Sequence, residues 1–369
     1  MSTLEQETLI NHFENNNITT PSNKDEDWLY YNLDGLLKEN LSKIGKKTSG
    51  INIDGHYLYF KDGTLEAQLL PNDVQIKEKT INLKETKDSF IELATHTSKN
   101  FELTFNGCTS DISIVYENSH NIQSTALCIH ALKSNVTIRR LFLCKESESV
   151  TNNYIELNIQ DNSTVVMNEE NRNNQARIFD FVDASLENNC HLIGLNQSYL
   201  SHQSRFQNRA FINGANATVR LNGLAINDEN NQSFYNTHIY HNVGDTESHQ
   251  LFKSINKTNA LFEYNGKVSV KKDAQLINSY QLNQNIILDE YATIHSRPQL
   301  FIDADDVKCS HGSTTGDLNQ DELFYLKSRG LDELNSRKLV LKAFSDECFQ
   351  HPALLTFKTG IDNILDHII

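Results

Sequence analysis

The chain has 369 residues, with 33 Lys+Arg against 48 Asp+Glu, and a net charge of −15 with His neutral. Without a long Lys/Arg block, that balance excludes a phosphate-neutralising nucleic-acid surface, so no nucleic-acid partner is expected. Hydrophobic residues at 38%, with 18 Phe and 13 Tyr, exclude an unfolded chain.

Residues 1–17 carry Glu5, Glu7 and Glu14 and no apolar h-region, so no secretory signal is expected. No run approaches the roughly 18 apolar residues of a membrane span, and the expected location is cytoplasmic. The six cysteines, Cys108, Cys128, Cys144, Cys190, Cys309 and Cys348, read as thiols rather than as a disulfide framework. Most are expected in the core, where free Cys behaves as a small hydrophobe.

Residues 1–50 read as a small N-terminal helical region. Leu4, Leu9, Ile10 and Phe13 share one helical face, and Leu36, Leu37, Leu41 and Ile44 share another over 33–44. Thr20-Pro21-Ser22-Asn23 separates them with turn chemistry. A short β-rich lead-in follows over 51–95, where 51–60 and 65–69 alternate apolar with polar residues, as a short sheet or the first turns of a larger one would.

The span 96–312 repeats. Asn135-Val136-Thr137-Ile138, Asn162-Ser163-Thr164-Val165, Asn189-Cys190-His191-Leu192 and Asn216-Ala217-Thr218-Val219 begin 27 residues apart in each case. Each opens a strand-like alternation, and fixed-period self-similarity with β periodicity is a solenoid signature. With 15 Gly and 4 Pro in the whole chain, Asn and Asp are expected to turn the corners, because they tolerate left-handed backbone angles. A parallel β-helix fits best, with Lys267-Val268-Ser269-Val270, Ala274-Gln275-Leu276-Ile277, Asn285-Ile286-Ile287-Leu288 and Gln299-Leu300-Phe301-Ile302 as its later strands.

The span 313–369 turns helical. Asn319 with Glu322 resembles a capping box before Leu323, Phe324 and Leu326, and Gly330 is a stop. A second helix over 333–349 carries Leu334, Leu339, Val340, Ala343 and Phe344, and a third carries Ile361, Ile364 and Leu365. This tail is expected to cap the solenoid.

No phosphate loop, Gly-x-Ser-x-Gly elbow, His-Glu-x-x-His or Cys-x-x-Cys occurs, so the chain itself is expected to hydrolyse no nucleotide. Within Asp303-Ala304-Asp305-Asp306-Val307-Lys308-Cys309-Ser310-His311-Gly312, a strand would project Cys309 and His311 to one face. That pair suits iron in a sulfide cluster, zinc or cuprous copper, with Lys308 favouring the thiolate. Two ligands do not complete a four-ligand cluster site, so a partner supplies the rest or the pair is a packed Cys beside a hydrogen-bonded His. His238, His241 and His249 form a His-rich patch whose members read as surface or stacked side chains. Asp303, Asp305 and Asp306 with His311 permit a β-helical polysaccharide lyase or hydrolase, although solvated corner residues are the simpler reading.

The stretch from Ser296-Arg297-Pro298 through Cys309-Ser310-His311-Gly312 to Gly316 closely resembles the SufB/SufD family of iron–sulfur cluster assembly proteins. So does Asp321-Glu322-Leu323-Phe324-Tyr325-Leu326-Lys327-Ser328-Arg329-Gly330. Glu26-Asp27-Trp28-Leu29-Tyr30-Tyr31, Phe252-Lys253 and Asn265-Gly266-Lys267-Val268 resemble further family elements. Two elements depart from the pattern: Tyr235-Asn236-Thr237-His238 stands where the family has acidic-x-His-Thr, and Ser254 follows Lys253 where the family has Gly. Cys309-Ser310-His311 resembles the SufD branch, whose counterpart in SufB is an acidic-His-acidic triplet.

The resemblance implies a right-handed parallel β-helix between helical ends and a non-catalytic scaffold. It implies pairing with SufB through the β-helix edge, and docking of the ATPase SufC on the C-terminal helices around Phe324, Tyr325, Arg329 and Phe344. A nascent iron–sulfur cluster would be shared with SufB, with His311 and Cys309 as its ligand candidates here. A reduced flavin has been proposed for such complexes, and an isolated chain is expected to pair with itself. A third reading keeps the partner role but leaves Cys309 and His311 only to pack the last coil.

Overall fold

The computed structural model describes residues 7–38, 40–41, 53–81, 88–118, 122–143, 149–172 and 175–369. Leu4, Ile44, Ile51 and Cys144 lie outside the described residues. The middle of the chain winds as a parallel β-helix in which each coil gives one strand to each of two sheets. Arg177–Leu186 lies in the nine-stranded sheet, His191–Tyr199 in the ten-stranded one, and Gln203–Ile212 back in the first. The ladders are in register: Ala184 faces Leu157 and Ala210, and Leu192 faces Val165 and Val219. Aliphatic side chains therefore stack coil upon coil inside the tube.

Of the two readings of the β-rich lead-in, the structure takes the second: it is the first turn of this solenoid. His56–Lys61 pairs in parallel with Thr109–Glu117 and antiparallel with Thr64–Leu69, while Val74–Glu78 pairs antiparallel with Phe101–Asn106. The corners explain the sequence repeat and correct it. Lys133, Asn162, Asn189, Asn216, Asp245 and Leu276 all have positive φ, 51° to 63°, at spacings of 29, 27, 27, 29 and 31. The 27-residue period is thus local. Asn135 pairs with Thr164, so the first copy is out of phase by two, and its corner is Lys133 rather than an Asn. A second corner runs through Leu200, Glu229 and Thr258, so Asn and Asp turn only part of the stack. Ala274-Gln275-Leu276, expected in a strand, is corner.

Helices cover both outer faces. On the nine-stranded sheet, Trp28 stacks on Phe90 with ring centroids 5.0 Å apart, and the Arg205 guanidinium lies 3.9 Å over its ring. The expected helix over 33–44 forms as Leu33–Lys38, burying Leu33, Leu36 and Leu37. Glu26 and Asp27 each lie 3.1 Å from the Lys267 ammonium, Glu26 also meets Arg297 at 3.6 Å, and Tyr30 stacks on His295. The Glu-x-Trp-x-Tyr element is therefore a strap from the N-terminal helices to the last coils.

The C-terminal helices do not sit on the end of the tube, as the sequence suggested. Glu333–Asp346, Pro352–Phe357 and Ile361–Ile368 fold back over the outer face of the ten-stranded sheet. Leu341, Phe349, Leu354 and Leu365 pack there against Leu195, Tyr199, Leu224 and Ile255. The Asn222 amide donates to the Cys348 carbonyl at 2.7 Å, and buried Lys253 reaches Glu347 at 2.7 Å. As expected, Asn319 caps Gln320–Ser328, accepting from the Asp321 and Glu322 amides, and Gly330 at φ 97° ends that helix.

The tube interior also carries polar groups. Arg140 is fully buried, paired with Asp180 at 2.6 Å and Glu169 at 3.2 Å. His241 is fully buried between the Thr246 and Ser248 hydroxyls at 2.7 and 2.9 Å, and burial lowers its pKa to about 4. In the unfolded chain the ring protonates near pH 6.5, so unfolding takes up a proton between those values and stability falls as pH drops through that window. The expected result is that His241→Gln removes about 2 kcal/mol from the loss of stability between pH 7 and pH 5. Urea unfolding of both proteins at the two pH values measures it.

Candidate functional site

Parallel coils satisfy one another's backbone groups, so the last coil is left with one unpaired edge in each sheet. Thr293–Ile302 and Val307–Gly316 are those two end strands. Cys309 pairs with Ser279 and His311 with Gln281, both fully buried inside the tube. Paired residues of parallel strands share a face, so Cys309 and His311 continue the interior stack at the level where the tube opens. Polar rungs lead to them: His241, Ser248 and Ser279 are joined by hydrogen bonds of 2.9 and 2.8 Å below Cys309, and Gln250, Tyr264 and Gln281 by 3.2 and 2.9 Å below His311.

Cys309 is half-buried against the cluster of Val268, Val270, Ala274 and Ile277, and that burial pushes its thiol above the ordinary range. Lys308, expected to favour the thiolate, is one residue away and so projects to the other face, exposed. His311 is exposed. Among the described residues, neither belongs to a group of three His, Cys, Asp or Glu side chains close enough to share an ion. The pair alone is an incomplete donor set. Ser296 and Ser313 hydroxyls, 2.7 Å apart, tie the two end strands across the opening. Around it stand exposed Leu276, Tyr280, Tyr291, Phe301 and Ile302.

The acidic residues do not gather into a catalytic group with His311. Asp303, Asp305 and Asp306 are exposed at the corner, where the Asp306 carbonyl accepts from the Leu276 amide at 2.7 Å and its own amide donates to Gln275. The His-rich patch is satisfied structurally. His238 bonds the Ser269 hydroxyl at 2.8 Å and stacks on Tyr240, whereas His241 points into the tube. Burial lowers the pKa of both to about 4, and that of His249 below its usual value.

The residues expected to dock an ATPase divide in two. Phe324 and Tyr325 are 73% and 57% exposed on a helix that buries only Leu323, and the Arg329 guanidinium lies 5.2 Å over the Tyr325 ring. Tyr325, Leu326, Leu339, Val340 and Ala343 line an apolar cleft of about 440 Å³ with Asp321 and Glu322 at its rim. Phe344 is half-buried instead, its ring 4.1 Å from the Lys253 ammonium. Lys253 and Phe344 therefore lock the helices to the sheet. Sequence reasoning passed over a second Cys-x-His pair, Cys128-Ile129-His130, whose spacing repeats that of Cys309 and His311.

No helix among the described residues is long and apolar enough to cross a membrane. The family model described as SUF system FeS cluster assembly, SufBD core domain, matches residues 114–344, more than half of the chain. The iron-sulfur cluster assembly protein SufD of Escherichia coli is 34% identical over 157 residues, 42% of this chain and 36% of that protein. An iron-sulfur cluster assembly SufBD family protein of Synechocystis is 47% identical over 100 residues, 27% of this chain and 22% of its own length. The chloroplastic protein ABCI7 of Arabidopsis thaliana is 40% identical over 106 residues, 28% and 22% of the two chains. The matched stretches thus span little more than a third of these relatives at most. Repeat, strap, end-coil motif and family match agree, and the chain belongs to the SufB/SufD family of SUF iron–sulfur cluster assembly proteins.

Proposed function

We propose that this chain is a non-catalytic scaffold subunit of the cytoplasmic SUF assembly complex. SufB docks on the open coil, SufC binds the C-terminal helices, and a nascent iron–sulfur cluster is the cargo built between the two scaffold chains. The observation that carries this reading is the placement of Cys309 and His311, on an unpaired edge strand, continuing a polar interior stack. A second β-helix meeting those edges end to end would satisfy their backbone groups and cover the exposed Phe301 and Ile302. It would also bring further donors to a pair that is incomplete alone, as a four-ligand cluster site requires. Because burial holds the Cys309 thiol protonated, the thiol donates to iron only after losing that proton.

On the other side, the cleft along Tyr325, Leu339 and Val340 with Phe324 beside it offers apolar area without a covering element among the described residues. This is where SufC docks in the proposal, with Phe344 contributing through the seat it gives Lys253.

Anaerobic purification of the tagged chain from its own cytosol is expected to recover SufB and SufC with iron and sulfide. His311→Ala keeps the complex and loses the cluster iron. Recovery of neither partner overturns the scaffold reading. If Cys309→Ala with His311→Ala abolishes complex formation, the pair packs the interface rather than holding cargo.

Replacing Phe324 and Tyr325 by Ser is expected to lose SufC while SufB remains bound, since both side chains are exposed and their removal leaves the fold intact. Retention of SufC in that variant rejects the docking site. For the isolated chain, light scattering at micromolar concentration is expected to give the mass of a dimer joined at the open coil. A monomeric mass rejects that pairing.

A further inference from the structure

The second Cys-x-His pair lies at the opposite end of the solenoid from the open coil. Cys128 and His130 are on strand Ile122–Leu132 and, two residues apart, project to one face. Glu102, on Phe101–Asn106, is the direct parallel partner of Cys128. Register thus brings three different donors together. The Cys128 sulfur is 3.2 Å from His130 Nε2, which is 3.4 Å from a Glu102 carboxylate oxygen, and all three ligand atoms lie within 4.8 Å of one another. Zinc–sulfur and zinc–nitrogen bonds of about 2.3 and about 2.05 Å give tetrahedral S···N and N···O edges of about 3.6 and about 3.4 Å. The face of a metal tetrahedron is already formed.

A cation already occupies it. The Lys79 ammonium bonds Glu102 and sits 3.6 Å from the Cys128 sulfur, so it meets two of the three donors as a metal ion would. Lys77 pairs with the second carboxylate oxygen of Glu102 at 2.7 Å, and this pairing with Lys77 and Lys79 keeps that carboxylate ionised. The Lys79 side chain is 36% exposed and has a path into solvent. Glu156 pairs with Cys128 from the following coil, and the Asn158 amide reaches the Cys128 sulfur at 3.8 Å, which orients it. Among the described residues this is the sole group of three such donors.

We propose that Glu102, Cys128 and His130 bind one divalent metal ion of the zinc class, with Lys79 as a resident counter-cation that leaves when the metal enters. The metal takes the Cys128 sulfur as thiolate, its proton passing to solvent, together with the neutral His130 Nε2 and one Glu102 oxygen. A fourth position stays open toward the side from which Lys79 withdraws. The site is separate from Cys309 and His311 and stands whether or not those two hold cluster iron.

Cobalt(II) titration of the full chain, stripped by a chelator and kept anaerobic, tests the site. The expected result is a thiolate-to-cobalt charge-transfer band that saturates at one equivalent and is bleached by zinc. The band is lost in Cys128→Ser and persists in Cys309→Ser. In Lys79→Met, where the competing charge is removed, cobalt binds about tenfold tighter or more. Because Cys128 is fully buried and its replacement risks the fold, His130→Gln provides the second variant, expected to weaken binding by about tenfold or more. Absence of a band, a band lost with Cys309 rather than Cys128, or affinity unchanged in both Lys79→Met and His130→Gln overturns the proposal.

Discussion

Every coil of this molecule depends on its neighbours for its backbone hydrogen bonds. A strand buried between two others has its amides and carbonyls paired; a strand at the end of the stack has half of them free, at a cost of roughly 1–3 kcal/mol for each one buried without a partner. The first turn meets this with Val74–Glu78 and Thr64–Leu69, which fold back antiparallel on the first coil strands. At the other end Thr293–Ile302 and Val307–Gly316 have no such cover within the described residues. The asymmetry gives the tube one end overlaid by reversed strands, which carry the sheet edges there, and one where the coil strands themselves carry them, and the Cys309 and His311 pair stands at the latter.

The helices answer a second demand. A two-sheet tube buries its inner face automatically, but its outer faces carry Phe179, Phe181 and Phe234 on one side and Tyr199, Leu224 and Ile226 on the other. Covering them takes the helical segments from both ends of the chain, held down by charges placed in the late coils. Lys267 and Arg297 grip Glu26, and Lys253 grips Glu347. Lys253 is 1% exposed, so it is tolerable only with that carboxylate and the Phe344 ring beside it. The short motifs that mark the family are in large part these attachment points, which is why they are scattered in sequence and adjacent in space.

That scattering sets what was legible. Period and alternation need only local sequence, so the β-helix, the Asn319 cap and the Gly330 stop were readable from residues alone. The phase of the repeat was not, because the corner of its first copy is Lys133, a residue without turn preference, held at φ 51° by the stack. Nor was the path of the C-terminal helices: Leu341 and Leu365 are apolar wherever they pack, and only the exposed stripe of the ten-stranded sheet decides the direction. Cys309 and His311 were visible as a local pair, and their position at an edge follows from the coil count. Cys128 and His130 were equally local, yet they gain meaning only beside Glu102, 26 residues earlier, which register brings alongside.

The unequal corner spacings have a consequence for how such a chain can change length. Strands in the middle of the stack hold ten residues or close to it, while the corner-to-corner spacing drifts from 27 to 31. Added residues have gone into the loops at 228–231 and 271–276, where exposed side chains tolerate them. A single residue inserted within Thr218–Asn227 would exchange inside for outside along the rest of that strand, turning core aliphatics outward and charged Arg220 or polar Asn222 into the apolar tube. Insertions and deletions among descendants of this chain are therefore confined to the corners, and strand interiors diverge by substitution alone.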